Sequence, residues 1–282
     1  MQAEEQWDIE IKPKSGLLQL NLGELWRYKD LILLFVRRDF VAVYKQTILG
    51  PIWFFIQPLL TTLTFVVVFG GFAGISTDGI PPVLFYLAGI TLWNYFADCF
   101  KITSDTFIAN ANIFGKVYFP RLAVPLSVVV SNLLKLGIQF MLFLSFYAFF
   151  ILSGTDISPN LYAFLTPILV LIMAFLGLGF GMIFSSLTTK YRDLRFLLQF
   201  GIQLMMYATP VIYPLSSIPE KYKIYLLANP ISAVIETFKY GFLGTGTFEW
   251  VYLAYSLGFT VIVFFIGLVL FNKIESTFMD TV

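Results

Sequence analysis

Residues 161–187 read LYAFLTPILVLIMAFLGLGFGMIFSSL and contain no charged side chain. Held as a helix rising 1.5 Å per residue, such a run is about 40 Å long, more than the ~30 Å of hydrocarbon in a bilayer. A helix that is apolar all round has no face to offer water. The stretch is therefore expected to cross a membrane. Gly177, Gly179 and Gly181 lie inside it. They do not form a phosphate-binding loop, because no strand precedes them; Gly177 and Gly181, four apart, suit a small-residue contact between packed helices.

Working outward, similar runs occupy 51–72, 82–100, 122–152, 195–213 and 250–271. The expectation is an all-α membrane protein of about six spans. Pro51, Pro58, Pro125, Pro167 and Pro210 fall within or at the start of these runs. Membrane helices tolerate them where neighbouring helices satisfy the freed backbone groups. Composition agrees: the 282 residues are 58% hydrophobic and 12% charged, against roughly 45–50% and about 25% in soluble domains. The mean hydropathy is +0.82.

A net charge of +1 offers no basic surface for nucleic acid. There is no His, the usual neutral-pH base and commonest metal ligand, and the lone Cys99 has no internal disulfide partner. Zinc chemistry and thiol–imidazole catalysis are thereby excluded. Glu4, Glu5, Asp8 and Glu10 open the chain without an apolar core, which does not describe a cleaved secretory signal. The expected domains are an N-terminal cytoplasmic segment 1–50, a transmembrane domain 51–272 and a cytoplasmic tail 273–282.

From Glu24 to Phe40, at about 100° per residue, Leu25, Tyr28, Ile32, Phe35 and Val36 share one face while Arg27, Asp30, Arg37 and Arg38 gather opposite. That pattern predicts an amphipathic helix along the membrane surface, although Leu33 and Leu34 fall off the apolar face. Basic residues set the orientation. With the start inside, Lys101, Lys116, Arg121, Lys190, Arg192, Arg195 and Lys273 join those of the first segment on the inner side; only Lys221, Lys223 and Lys239 fall outside. Both termini are then expected in the cytoplasm.

The stretch 214–249 is apolar but broken by Pro219, Asn229, Pro230, Gly241, Gly244 and Gly246. Ser217 and Glu220 have capping-box spacing, which predicts a short helix ending before Asn229-Pro230, then a second from Ile231 to Tyr240. Two short helices between spans read as a re-entrant pair at about 215–241 on the external side, able to gate a pathway.

Lys135 lies about four turns beyond Arg121, roughly 20 Å along its helix, and must be paired or wet there, facing protein or an aqueous cavity. Asp98 and Lys101, three apart, are expected to pair with each other or with headgroups. Between spans two and three, Asn110-Ala111-Asn112-Ile113-Phe114-Gly115-Lys116-Val117-Tyr118-Phe119-Pro120-Arg121 mixes aromatic and basic residues, a composition suited equally to protein docking and to lipid headgroups. Lys190-Tyr191-Arg192-Asp193 is a shorter loop of the same kind. No P-loop occurs, so any ATP belongs to a partner.

Taken with Arg38-Asp39, Tyr44 to Pro51, Trp53, Gln57 and Pro58, the string KVYFPR at 116–121, Tyr191-Arg192-Asp193, Ala208 to Pro214 and Asn229-Pro230, the chain resembles the permeases of ABC-2-type polysaccharide exporters. The resemblance runs from about residue 24 to 250, with the blocks in order. It implies a homodimer of six-span subunits paired with two copies of a separate ABC ATPase, which holds the ATP and Mg. The cargo implied is a lipid-linked glycan such as O-antigen, capsule or teichoic acid, and the location the bacterial inner membrane. It makes the amphipathic helix an interface helix and 215–241 external gate helices. It assigns coupling to the ATPase to Asn110, Asn112, Lys116, Tyr118, Phe119, Pro120, Arg121, Tyr191, Arg192 and Asp193. An acidic residue is common in the family near Lys135, so this chain departs from the pattern there.

A glycan offers hydroxyls at its edges and apolar ring faces, which suit aromatic and amide walls. Trp53, Phe54, Trp93, Tyr95, Tyr207 and Tyr213 stand in the expected spans, and so do Gln57, Gln199 and Gln203, whose amides need partners. Packing, lipid contact and helix-to-helix bonding are the ordinary uses of such residues. Arg37, Arg38, Lys45 and Arg121 are candidates to hold a lipid diphosphate at the inner mouth, or express the positive-inside bias alone. The other classes left open are a drug or small-lipid exporter of the same type, a membrane enzyme acting on lipid-linked sugars, and a secondary transporter. Scattered carboxylates speak against the enzyme, and a single deep charge against the ion-driven carrier.

Overall fold

The structure, a computed structural model, describes residues 22–45, 50–191 and 193–281. The lead-in 1–21, Gln46 to Leu49, Arg192 and Val282 lie outside the described residues, as do the side chains of Leu22, Val43, Tyr44 and the residues after Glu275. Among the described residues every regular element is helical. Two helices, α1 (Leu22–Arg27) and α2 (Lys29–Tyr44), precede a 3-10 turn Gly50–Ile52 and α3 (Trp53–Phe65), which continues as a π-helical stretch Val66–Phe72. Then come α4 (Pro82–Ser104), the short α5 (Thr106–Ala109) and α6 (Ala111–Phe114), and α7 (Ala123–Leu152). A 3-10 turn Leu161–Leu165 leads into α8 (Thr166–Lys190). The chain ends with α9 (Leu194–Tyr207), α10 (Glu220–Leu227), α11 (Pro230–Leu243) and α12 (Trp250–Thr281).

Most prolines sit where a helix has no use for the missing donor. Pro82, Pro167 and Pro230 occupy first-turn positions of α4, α8 and α11. Pro58 alone lies inside a helix, α3. The caps of α11 are complete: Asn229 accepts from the Ile231 N–H at 3.1 Å, and Gly244 closes the far end with φ +71°.

Among the described residues, five stretches are long and apolar enough to cross a membrane: Gly50–Phe72, Pro82–Ser104, Ala123–Leu152, Leu161–Lys190 and Trp250–Glu275. This is a multi-pass, all-α membrane protein. The expected fifth span, 195–213, differs: α9 has 14 residues and measures about 21 Å, short of the ~30 Å hydrocarbon layer. Pro210 cannot donate and disfavours helix at Thr209, and the chain instead turns Thr209 to Ile212 into the core. α12 runs on through the expected tail to Thr281.

α8 is the hub, wedged between α4 and α12. A Cβ on Gly177 would stand 2.8 Å from the Cys99 Cβ and 3.0 Å from the Phe96 carbonyl oxygen of α4, and Gly181 meets Thr103 and Phe100 of the same helix. Gly179, on the opposite side, lets the backbone of α12 approach until its Cβ would lie 2.9 Å from the Phe264 Cα. On α12, Gly267 returns the contact, its Cβ position 2.5 Å from the Gly179 oxygen. The expected helix contact is thus made, and on two faces. Around it α4 is enclosed, with Leu84, Phe85, Tyr86, Leu87 and Ile90 at most 1% exposed.

The amphipathic reading of α1–α2 holds at the side chains: Leu25, Phe35 and Val36 are buried, while Leu33 and Leu34 are exposed. The re-entrant stretch forms the two expected helices, of unlike character. α11 is buried almost throughout, tied by Tyr147 Oη to the Phe242 oxygen at 2.9 Å and Ser256 Oγ to the Pro230 oxygen at 2.7 Å, whereas α10 has no buried residue. The expected capping box of Ser217 and Glu220 does not form. Ser217 Oγ donates to the Pro214 oxygen at 2.8 Å inside a 3-10 turn, so α10 begins only at Glu220, whose carboxylate accepts from Lys223 at 2.8 Å and is held below the usual carboxylate range by it.

Gly267→Val forces α8 and α12 apart and is expected to destabilise the subunit by about 1–3 kcal/mol, read as a lower thermal midpoint in detergent. Gly137→Ala, with nothing within 4 Å of its Cβ position, should leave that midpoint in place.

Candidate functional site

The loop between α4 and α7 is built on three buried rings. Phe107 stacks on Phe271 of α12 with centroids 4.6 Å apart. Phe114 and Phe119 lie 5.6 Å apart, and Phe119 meets Phe35 of α2 at the same distance. Each of these side chains is at most 5% exposed. The two four-residue helices α5 and α6 are too short to be stable alone; the rings hold them against α2, α8 and α12 in one apolar cluster.

This anchoring divides the residues expected to couple. Asn112, Lys116 and Tyr118 point outward with Val117, whereas Asn110, Phe119 and Pro120 are buried. Asn110 donates to the Thr106 oxygen at 2.9 Å and accepts from Arg38 at 3.4 Å. Arg121 lies 5.5 Å from the Phe114 ring centre and donates to the Glu275 oxygen at 2.6 Å. Desolvation lowers its pKa and the Glu275 charge opposes that; a guanidinium stays protonated under either influence.

The second loop joins the first on one face. Thr188 Oγ1 donates to the Ser104 oxygen at 2.9 Å, and Arg195 pairs with Asp105 at 2.6 Å. Tyr191 and Asp193 are exposed there, with Lys190 5.4 Å from the Tyr191 ring. Sequence spacing did not reveal the Arg195–Asp105 link, which joins residues 90 positions apart; a basic and an acidic residue at two loop edges were its only trace.

Of the four candidate headgroup cations, two meet the ring chain. Arg38 lies 4.7 Å from the Phe35 centroid, held by Asp39 at 2.8 Å, and Arg121 stands on Phe114 at its other end. Arg37 and Lys45 are exposed on and just after α2.

The candidate lining residues fall on two helix faces. On α9, Phe196, Gln199, Phe200, Gln203 and Tyr207 share one exposed face, while Leu198 and Ile202 pack inward. On α3, Trp53, Gln57 and Leu60 are exposed, opposite buried Phe54, Pro58 and Thr62. Trp93 is a correction: it is 3% exposed and tilted against Phe96, so it belongs to the core. Tyr95 is equally buried and Tyr213 partly so.

Two charged residues also differ from expectation. Asp98 pairs with Lys135 of α7 at 3.5 Å, not with its neighbour Lys101, which is exposed. Lys239, counted with the external cations, is fully buried; it donates to the Pro210 oxygen at 2.6 Å and lies 3.6 Å from the Phe85 ring centre.

The described residues therefore define a multi-pass membrane protein with one rigid loop face and two exposed aromatic–amide faces, and hold no cluster suited to a metal. The model of the ABC-2 type transporter family matches residues 30–243, and the chain belongs to that family. Among its relatives, the O-antigen export system permease protein RfbA of Klebsiella pneumoniae is 30% identical over 266 residues, covering 93% of this chain and 98% of that protein. RfbA of Myxococcus xanthus is 28% identical over 77% of this chain and 81% of its own length. The polysialic acid transport protein KpsM of Escherichia coli is 25% identical over 83% and 89%. The resemblance carried by KVYFPR and its companion blocks is borne out.

Replacing Phe119 by Ala removes a ring from the buried chain and is expected to cost about 3–5 kcal/mol. Tyr118→Ala, at an exposed position, should stay within about 0.5 kcal/mol of the parent. Denaturation of the two variants in detergent separates the anchoring residue from the presented one.

Proposed function

We propose that this chain is the membrane subunit of an ATP-driven exporter carrying a lipid-linked polysaccharide across the bacterial inner membrane. O-antigen is the preferred cargo, since the relatives named for it are more similar to this chain than those named for capsule export. The observation that carries the proposal is the pair of outward aromatic–amide faces on α3 and α9. Glutamines turned to lipid would be left unsatisfied. Set against a second copy around a watery path, Gln57, Gln199 and Gln203 can exchange hydrogen bonds with hydroxyls while Trp53, Phe196, Phe200 and Tyr207 pass sugar ring faces. A homodimer supplies that second wall.

The work is supplied from outside the chain. Two copies of a separate ABC ATPase bind ATP and Mg and dock on the exposed loop face, where Asn112, Lys116, Tyr118, Tyr191 and Asp193 receive their motion, with Arg192 given the same role on its sequence alone. The buried ring chain behind Tyr118 passes displacement to α2, α8 and α12 without dissipating it in a soft loop. Arg37, Arg38, Lys45 and Arg121 attract the carrier's phosphates at the inner mouth. In this arrangement α1–α2 lies along the cytoplasmic membrane surface and both termini are cytoplasmic. The sixth crossing consists of α9 extended by the buried bend 208–214, a break tolerated because protein surrounds it. α10 and α11 form the external gate, and the contrast in burial makes α10 its moving part.

Loss of this subunit should leave the lipid-linked glycan inside the cell, where mass spectrometry of extracted lipids identifies it. Accumulation of a drug or small lipid with no glycan would move the cargo to the other exporter class. Tyr118→Ala should copurify with the ATPase and allow ATP hydrolysis while export falls roughly tenfold; undiminished export would remove the coupling role.

A further inference from the structure

A cavity of about 80 Å³ lies where α2, α3, α4 and α7 meet. Asp39 and Phe40 of α2, Phe54 of α3, and Ser131, Asn132 and Lys135 of α7 line it. Phe54 is one residue past the start of α3, so the cavity opens at the boundary where that span enters the bilayer. α2 packs against α7 and brings Asp39 to the same cavity as Lys135. Two observations mark the cavity as a site. Ser131 Oγ and Asn132 Oδ1 are buried without a hydrogen-bond partner, in residues only 8% and 2% exposed; native proteins seldom leave such atoms unmet. At the rim stand opposite charges, Asp39 held by Arg38 at 2.8 Å and Lys135 held by Asp98 at 3.5 Å.

These four charges cancel, so the cavity does not attract a simple anion or cation. A ligand carrying both signs a few atoms apart matches it. We propose that it binds the phosphoethanolamine headgroup of a membrane phospholipid, in the leaflet on which α1–α2 lies. The aminoethyl end enters, its ammonium donating to Asn132 Oδ1, Ser131 Oγ and the Asp39 carboxylate, while Lys135 lies over the Phe54 ring at 5.6 Å. The phosphate stays at the rim and accepts from Lys135. The acceptors that line the cavity, Ser131, Asn132 and Asp39, call for a donor. A trimethylated choline donates nothing, and a glycerol headgroup brings no cation. The lipid would fasten the surface helix to the first and third spans. The proposal rests on the surface placement of α1–α2 given above and not on the identity of the cargo.

The test uses the full-length protein purified in mild detergent, delipidated, and titrated with short-chain phosphatidylethanolamine, phosphatidylglycerol and phosphatidylcholine under native mass spectrometry. About one phosphatidylethanolamine per chain is expected, bound about tenfold more tightly than the other two. Ser131→Leu, which fills the cavity, and Asp39→Asn should remove that preference, whereas Lys221→Met at the far membrane face should keep it. Equal binding of the three lipids by the unaltered protein, or full preference retained in Ser131→Leu, overturns the proposal. Glycan accumulation in cells lacking the subunit is read separately, so failure of the lipid site and failure of the cargo assignment remain distinguishable.

Discussion

The backbone-to-backbone approach of α8 to α4 and α12 is the constraint on which the other contacts depend. Lipid tails are as apolar as leucine, so helices in a bilayer gain little by merely hiding apolar side chains from their surroundings. Association must come from close packing and its summed dispersion. Gly177 and Gly181 on one side of α8 and Gly179 on the other allow contact at distances a Cβ would forbid. With that three-helix layer closed, α4 is enclosed, α11 has a bed to lie in, and α7 has a wall to lean on.

On that layer the protein hangs a rigid loop and leaves two surfaces open. The ring chain Phe35–Phe119–Phe114, with Phe107 on Phe271, ties the loop to α2 and α12 over short distances. Such stiffness suits the coupling role proposed for the loop, because a soft loop stores displacement in its own bending. The Arg195–Asp105 and Thr188–Ser104 links join the second loop to the first in one face. Exposed ion pairs contribute little stability; here the pair matters as a strut between loops.

Regularity decided how much was legible beforehand. The amphipathic face of α1–α2, the long apolar spans and the pair of short helices before α12 are local patterns, and each was readable from spacing alone. The failures share a cause. Ser217 had capping-box spacing with Glu220, yet the turn at Pro214 offered it a nearer acceptor. Asp98 had Lys101 one turn away, yet Lys135 crosses from α7 to meet it. Trp93 has the chemistry of a sugar-binding ring but lies inside the core, on a helix enclosed on nearly all sides. The run 195–213 was apolar enough to cross, but Pro210 and the pull of Val211 and Ile212 into the core end the helix at Tyr207.

By itself, the amino-acid sequence determined the solvent of this protein, the approximate place of its apolar segments, and the family that its motif strings resemble. These follow from hydropathy and spacing, which act within one segment. Tertiary structure alone decided which aromatic rings are anchors and which are presented, which charges pair, and that Ser131, Asn132, Asp39 and Lys135 enclose one cavity. Such facts depend on what other helices bring to the same place, and no periodicity within a single helix encodes its neighbours.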